Sequence, residues 1–253
     1  MTNPANVFPF RKQLVQPRIR LLCLPYAGGA ASLYRSWPAR LAPGIDVCPV
    51  ELPGRGLRFA EPMARDMASL CDALIPAIEP LLDGTPVALF GHSMGARIAF
   101  ELAHRLDGRL TRLFASGAPA PGVRLRYGAT GDPRPTAQMS DAELTQRLRN
   151  LGGTPPEILE HRELMERVIP IVRGDFVLVE QYQVDPSIRV SCPITVFAGI
   201  HDPGAAPGAA AAWQLRTTSS CRIVELDAGH FFLDTHRDLL LREILRELAP
   251  RLG

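Results

Sequence analysis

Val87-Ala88-Leu89-Phe90-Gly91-His92-Ser93-Met94-Gly95-Ala96 decides how the rest of this chain is read. A short apolar run enters a Gly-x-Ser-x-Gly pentapeptide, and a helix-like stretch, Ala96 to Leu106, leaves it. Strand, sharp turn and helix in that order present a serine hydroxyl at the top of a sheet, the arrangement of a nucleophile elbow. Gly91 and Gly95 suit it because a Cβ at either would crowd the neighbouring strand or helix. The pentapeptide alone arises often by chance, so its flanks carry much of the weight. The competing reading is a glycine-rich connection with an incidental serine.

Outward from the elbow, β-like runs alternate with helical patterns, which predicts an α/β chain with a mostly parallel central sheet and helices on both faces. The strand candidates are Ile19 to Leu24, Asp46 to Leu52, Val87 to Phe90, Thr111 to Ser116, Ile194 to Gly199 and Arg222 to Leu226. Helical patterns cover Leu33 to Leu41, Ala64 to Leu82 with an interruption near Pro76, Gly95 to Leu106, and Leu239 to Leu248. Residues 119–192 break the rhythm. A Pro/Gly/Arg-rich linker, Ala118 to Pro135, leads to Ser140-Asp141-Ala142-Glu143, a capping box for a helix ending near Gly152-Gly153. A second helix is expected over Pro156 to Val168 and a third from near Ile171, with no strand between them. The expected organisation is therefore a core of residues 1–118 and 193–253, and a helical insertion over 119–192 that acts as a lid. A docking subdomain without gating is the alternative.

Bulk properties exclude several function classes. The 253 residues fit one α/β domain with an insertion, and a net charge of +2 gives no global attraction to nucleic acid or to an anionic membrane. Arg124, Arg126, Arg134, Arg147, Arg149, Arg162, Arg167 and Arg173 crowd the middle third, and solvated helix faces account for most of them. Cys23, Cys48, Cys71, Cys192 and Cys221 are odd in number and lack a C-x-x-C pair. They read as small buried hydrophobes in a reducing compartment, neither disulfides nor metal ligands. No secretory signal and no membrane-spanning run is seen, so the expected location is cytoplasmic.

A serine hydroxyl needs a base, and the base an orienting carboxylate. Behind an elbow of this kind the chain order is serine, acid, histidine. His230 follows the strand Arg222 to Leu226 through Asp227-Ala228-Gly229, at the carboxyl edge where open α/β sheets bind ligands. His92, His104, His161 and His201 are poorly placed, and His236 is the reserve. Asp202 follows Ile194 to Gly199 and is the expected acid. The preceding strand ends in Ser116-Gly117-Ala118 and offers no carboxylate, Asp175 and Asp185 fall in the insertion, and Asp227 is a decoy close to the histidine. The backbone N–H of Met94, after the nucleophile, and that of Ala27, in Leu24-Pro25-Tyr26-Ala27-Gly28-Gly29, are the expected oxyanion donors.

Several further segments carry a resemblance. With Leu24 to Gly29 and the elbow go Trp37, Glu51-Leu52-Pro53-Gly54-Arg55-Gly56, Leu151-Gly152-Gly153-Thr154-Pro155, Arg173-Gly174-Asp175 and Gly229-His230-Phe231-Phe232. In these the chain resembles the type II (editing) thioesterases of polyketide and nonribosomal peptide synthetase clusters, within the α/β-hydrolases. The resemblance implies Ser93, Asp202 and His230 as a triad. It implies hydrolysis of acyl thioesters on the phosphopantetheine arm of carrier proteins, without metal or organic cofactor, by a protein expected to be monomeric. It also makes the arginines of linker and lid candidates to contact the arm's phosphate or an acidic carrier surface. Ile200-His201 before Asp202, and the Ala/Gly-rich stretch from Gly204 to Ala212, depart from the family pattern. A free-standing acyl-CoA or small-ester hydrolase is the nearest alternative, and a non-catalytic binding module a distant one.

Overall fold

The computed structural model describes residues 4–41, 43–123, 134–202, 204 and 208–252. Six parallel strands form one sheet: β1 (Ile19–Leu24), β2 (Ile45–Pro49), β3 (Val87–His92), β4 (Arg112–Ser116), β5 (Ile194–Gly199) and β6 (Cys221–Leu226). Their spatial order is β2-β1-β3-β4-β5-β6. The helices are α1 (Pro4–Val7), α2 (Met67–Ile78), α3 (Met94–Arg105), α4 (Asp141–Leu151), α5 (Pro156–Glu160), α6 (Arg162–Gln181), α7 (Phe232–Thr235) and α8 (Arg237–Leu248).

Strands β1 to β5 are buried on both faces almost throughout, while the edge strand β6 is only partly buried, and the side-chain period of two sorts the buried residues. Leu22, Leu24, Val87, Leu89, Leu113 and Val196 pack on one side with Leu70 and Leu74 of α2 and Ile98 and Leu102 of α3. Leu21, Cys23, Ala88, Phe90, Phe114 and Phe197 pack on the other with Trp37 and with Leu240, Leu241 and Ile244 of α8. Strand order reverses direction between β1 and β3, which leaves a crevice at their carboxyl ends, the place where open parallel sheets bind ligands.

Between β4 and β5 the chain leaves the sheet for α4, α5 and α6, which bury a small core of their own: Leu144, Leu148, Leu159, Met165, Ile169, Val172 and Phe176. Ser140 caps α4 as expected. Its side chain accepts the Glu143 N–H at 3.3 Å, and Glu143 reaches back to the Ser140 N–H at 2.8 Å. The Glu143 carboxyl, held by that bond and by Arg134, falls to a pKa of about 2.

Three expectations are corrected. Leu33 to Leu41 is not a helix but two 3-10 turns, Ala31–Tyr34 and Trp37–Ala39; Pro38 has no N–H to give and disfavours α geometry before it, while burial of Tyr34 and Trp37 fixes the path. Pro76 does not interrupt α2, which runs from its Asp66 cap to Ile78. The helices expected at Pro156 to Val168 and from Ile171 are redivided into short α5 and long α6. His161 caps α6, which continues through Pro170 because its buried face (Met165, Ile169, Val172, Phe176, Val179) outweighs one lost backbone bond.

Two insertion arginines are likewise not on solvated faces. Arg147 is buried and donates to Thr136 Oγ1 at 2.7 Å. Arg173 donates to the Thr136 and Met139 carbonyls at 2.8 and 2.7 Å and to Asp141. They hold the chain's entry into the insertion. Arg124 and Arg126, with most of the linker, lie outside the described residues.

Candidate active site

Ser93 sits where β3 turns into α3, with φ of 55° and ψ of −113°, the one non-glycine residue among those described with positive φ. Such strain persists only where neighbours over-determine it. Here the neighbours are close indeed. A Cβ on Gly91 would lie 2.0 Å from the Gly95 carbonyl oxygen, and one on Gly95 would lie 2.2 Å from that of Leu24. The Ser93 N–H is tied to the Ser116 carbonyl at 2.7 Å, which anchors the elbow to β4.

His230 and Asp202 arrive from the carboxyl ends of β6 and β5. Backbone bonds extend that strand pairing into the loops, from Ile200 N–H to the Leu226 carbonyl at 2.9 Å and from His201 N–H to that of Ala228 at 3.0 Å. His230 Nδ1 lies 2.7 Å from Asp202 Oδ2, and His230 Nε2 lies 3.1 Å from Ser93 Oγ. A carboxylate only accepts, so Nδ1 carries the proton and Nε2 is left to accept from the serine hydroxyl. Asp202 Oδ1 takes the Gly204 N–H at 2.8 Å, which fixes the carboxylate plane. The side chain of Asp202 is 2% exposed and that of His230 17%: a shielded acid and a histidine reachable from the crevice.

Ala27 and Met94, the two expected donors, line the same cavity as Ser93 and His230. Among the described residues neither backbone N–H has an acceptor. The apolar wall comes from Leu151, Phe176 and Val179 of the insertion together with Ala118 and Pro119 after β4. Arg97, one turn along α3, is buried in the same wall and reaches the Val123 carbonyl at 3.4 Å.

The other candidates fall elsewhere. His92 is fully buried, with Nδ1 2.9 Å from Ser116 Oγ and its ring 5.4 Å from that of His230; burial holds it well below the ordinary histidine pKa, and it backs the His230 ring. Asp227 pairs with His201 at 2.7 Å on the surface. His104 and His161 are exposed, and His236 contacts Thr235. Asp185 caps the turn at Ser187. All five thiols are free; burial raises those of Cys48 and Cys71 to about 12, so neither is a nucleophile at neutral pH.

Asp175 is what the sequence reading missed. It is not near His230, as expected, yet it belongs to the site's surroundings: its Oδ2 accepts the Gly28 N–H at 2.7 Å, beside Ala27. Arg173-Gly174-Asp175 was visible as a motif, but its contacts lie 120 and 147 residues away.

The thioesterase domain family matches residues 19–248. A Brevibacillus parabrevis protein named linear gramicidin dehydrogenase LgrE is 37% identical over 91% of this chain and 88% of its own length. A probable cadicidin biosynthesis thioesterase of Streptomyces griseus is 36% identical over 92% of this chain and 63% of that protein. The solved structure of BorB, the type II thioesterase from the borrelidin biosynthetic cluster, superposes with a TM-score of 0.82 at 38% identity, covering 94% of this chain and 96% of that one.

Proposed function

We propose, for a chain that belongs to the thioesterase family and hydrolyses acyl thioesters, that its substrates are acyl groups stalled or misprimed on the phosphopantetheine arms of polyketide or nonribosomal peptide synthetase carrier proteins. Relatives named for such pathways support this reading. The observation that carries the chemistry is the Asp202–His230–Ser93 relay, 2.7 and 3.1 Å long, at the mouth of the β1/β3 crevice.

Ser93 Oγ attacks the thioester carbonyl as His230 Nε2 takes its proton, and Asp202 stabilises the resulting imidazolium. The oxyanion forms against the Ala27 and Met94 N–H groups. The C–S bond breaks and the pantetheine sulfur leaves with the proton held by His230, an easy departure for a thiol of pKa about 8.5. Water, deprotonated by His230, attacks the acyl-serine; the carboxylic acid leaves and Ser93 recovers its proton. The reaction so written needs no metal or organic cofactor. The insertion is the lid, closing Phe176 and Val179 over the acyl chain. The enzyme works as a cytoplasmic monomer; among the described residues no helix is long and apolar enough to cross a membrane.

A dehydrogenase reading, prompted by one relative's name, fits poorly. The turn after β1, where a dinucleotide pyrophosphate would need free amides at a helix start, runs into a 3-10 turn, and its Gly28 N–H is held by a carboxylate.

Mass spectrometry of a carrier protein loaded with a panel of acyl groups, before and after exposure to the enzyme, tests the proposal. Selective unloading is expected, with kcat/KM on acyl-carrier protein above that on acyl-CoA and p-nitrophenyl esters. Equal or better turnover of acyl-CoA would replace it with a free-standing acyl-CoA hydrolase.

A further inference from the structure

Glu51-Leu52-Pro53-Gly54-Arg55-Gly56 and Arg173-Gly174-Asp175 take no part in the chemistry above, yet they meet beside it. Arg55 and Asp175 form a buried two-point ion pair, Nη1 to Oδ2 and Nη2 to Oδ1, each 2.7 Å. Both ends then grip the loop after β1. Asp175 Oδ2 accepts the Gly28 N–H at 2.7 Å, Arg55 Nη1 donates to the Gly29 carbonyl at 3.1 Å, and Glu51 Oε1 accepts the Ala31 N–H at 3.2 Å. Gly28 has φ of +77°, and a Cβ there would lie 2.7 Å from Val172 Cγ2, so α6 lies directly on this loop.

One face of α6 therefore serves two purposes. Val172 and Asp175 hold Gly28, while Phe176 and Val179, at helical spacing, line the cavity. Ala27, the second oxyanion donor, is the residue before Gly28. An N–H that stabilises a developing charge must be fixed before the charge appears, since reorganisation during the reaction cancels the gain.

We infer that Asp175, with Arg55, is a positioning residue: it fixes the peptide next to the oxyanion donor, so the oxyanion loop is held in register only while the α6 helix of the insertion is seated. This rests on the reading of Ser93 and Ala27 given above. The insertion is then part of the catalytic apparatus as well as a cover.

The test separates positioning from stability. Buried ion pairs replaced by apolar groups of similar volume often leave stability unchanged or raise it, so the Arg55→Met/Asp175→Leu double variant removes the acceptor of Gly28 without orphaning a charge. Its kcat on an acyl-pantetheine thioester is expected to fall on the order of 10–100-fold, with KM within about threefold because the fall is lost transition-state stabilisation, and with a Tm close to that of the parent. A kcat within about twofold of the parent overturns the inference. Should the double variant not fold, Asp175→Ala is assayed with kcat expressed per serine titrated by a fluorophosphonate; the same fall supports the inference and an unchanged per-site kcat overturns it. Ser93→Ala run alongside keeps the two readings apart. Retained turnover there removes the serine reading itself, whereas its loss with unchanged double-variant turnover removes only the role of Asp175.

Discussion

Ser93 holds a strained backbone because the close approaches at Gly91 and Gly95, and the bond from its N–H to the Ser116 carbonyl, leave no alternative, and the strain aims its hydroxyl at His230. Removing that hydroxyl by Ser93→Ala, or mis-setting the histidine tautomer by Asp202→Asn, is expected to lower kcat on the order of 10⁴-fold in steady-state thioester hydrolysis. Folding should be unaffected, which circular dichroism checks. Gly95→Ala should behave differently. Its methyl would press on the Leu24 carbonyl and the Pro25 backbone, which cannot swing aside as a side-chain tip could. Stability is expected to fall by about 1–3 kcal/mol, as overpacking does, together with activity, since Leu24 and Pro25 lead into the Ala27 loop. Thermal unfolding and turnover measured on one preparation would show the two losses together. At this scale the meeting of Ser93, Asp202 and His230 was legible because each follows a strand end in a fixed chain order. Asp175 was not, because its role depends on which loop its helix lands on.

At the scale of the element, caps were easy to read and interiors harder. Ser140 and Glu143 fall at capping-box spacing, and α4 starts there. Because the folded Glu143 carboxyl titrates at about 2, below the ordinary 4.5, its contribution is present above about pH 4.5 and is lost as pH falls toward 2. Glu143→Gln should accordingly have a lower Tm than the parent at pH 7, and the gap should close between pH 5 and 2 in thermal melts. The same local logic misplaced the breaks at Pro76 and between Val168 and Ile171, where Pro170 lies inside α6. Each helix runs on because a buried apolar face, completed only by residues from elsewhere in the chain, outweighs the missing bond.

For the whole molecule, the sheet places four loops at one edge: the Ala27 loop from β1, the elbow from β3, Asp202 from β5 and His230 from β6. Leu151, Phe176 and Val179 of the insertion line the same cavity, and its turn at Gly152-Gly153 meets Phe231, where a Cβ on Gly153 would lie 2.0 Å from the ring. With Arg147 and Arg173 committed internally, Arg149 and Arg167 remain exposed on the insertion. As contacts to an acidic carrier surface, Arg149→Glu/Arg167→Glu should lower kcat/KM on acyl-carrier protein at low salt about 10-fold or more while leaving acyl-pantetheine turnover unchanged, as steering charges do. Equal effects on both substrates would assign these arginines no role in docking.

The sequence by itself determined the order of the six strands, the elbow, the start of α4, and that Ser93, Asp202 and His230 follow strand ends, because period, caps and strand-end positions are local signals carried by nearby residues. Only the tertiary structure decided where α6 lies, that Arg147 and Arg173 are tied inward while Arg149 and Arg167 stay exposed, and that Asp175 reaches Gly28. Those depend on which apolar faces bury one another and which buried charges then find partners, and contacts between residues more than a hundred apart leave no periodicity in the chain to read.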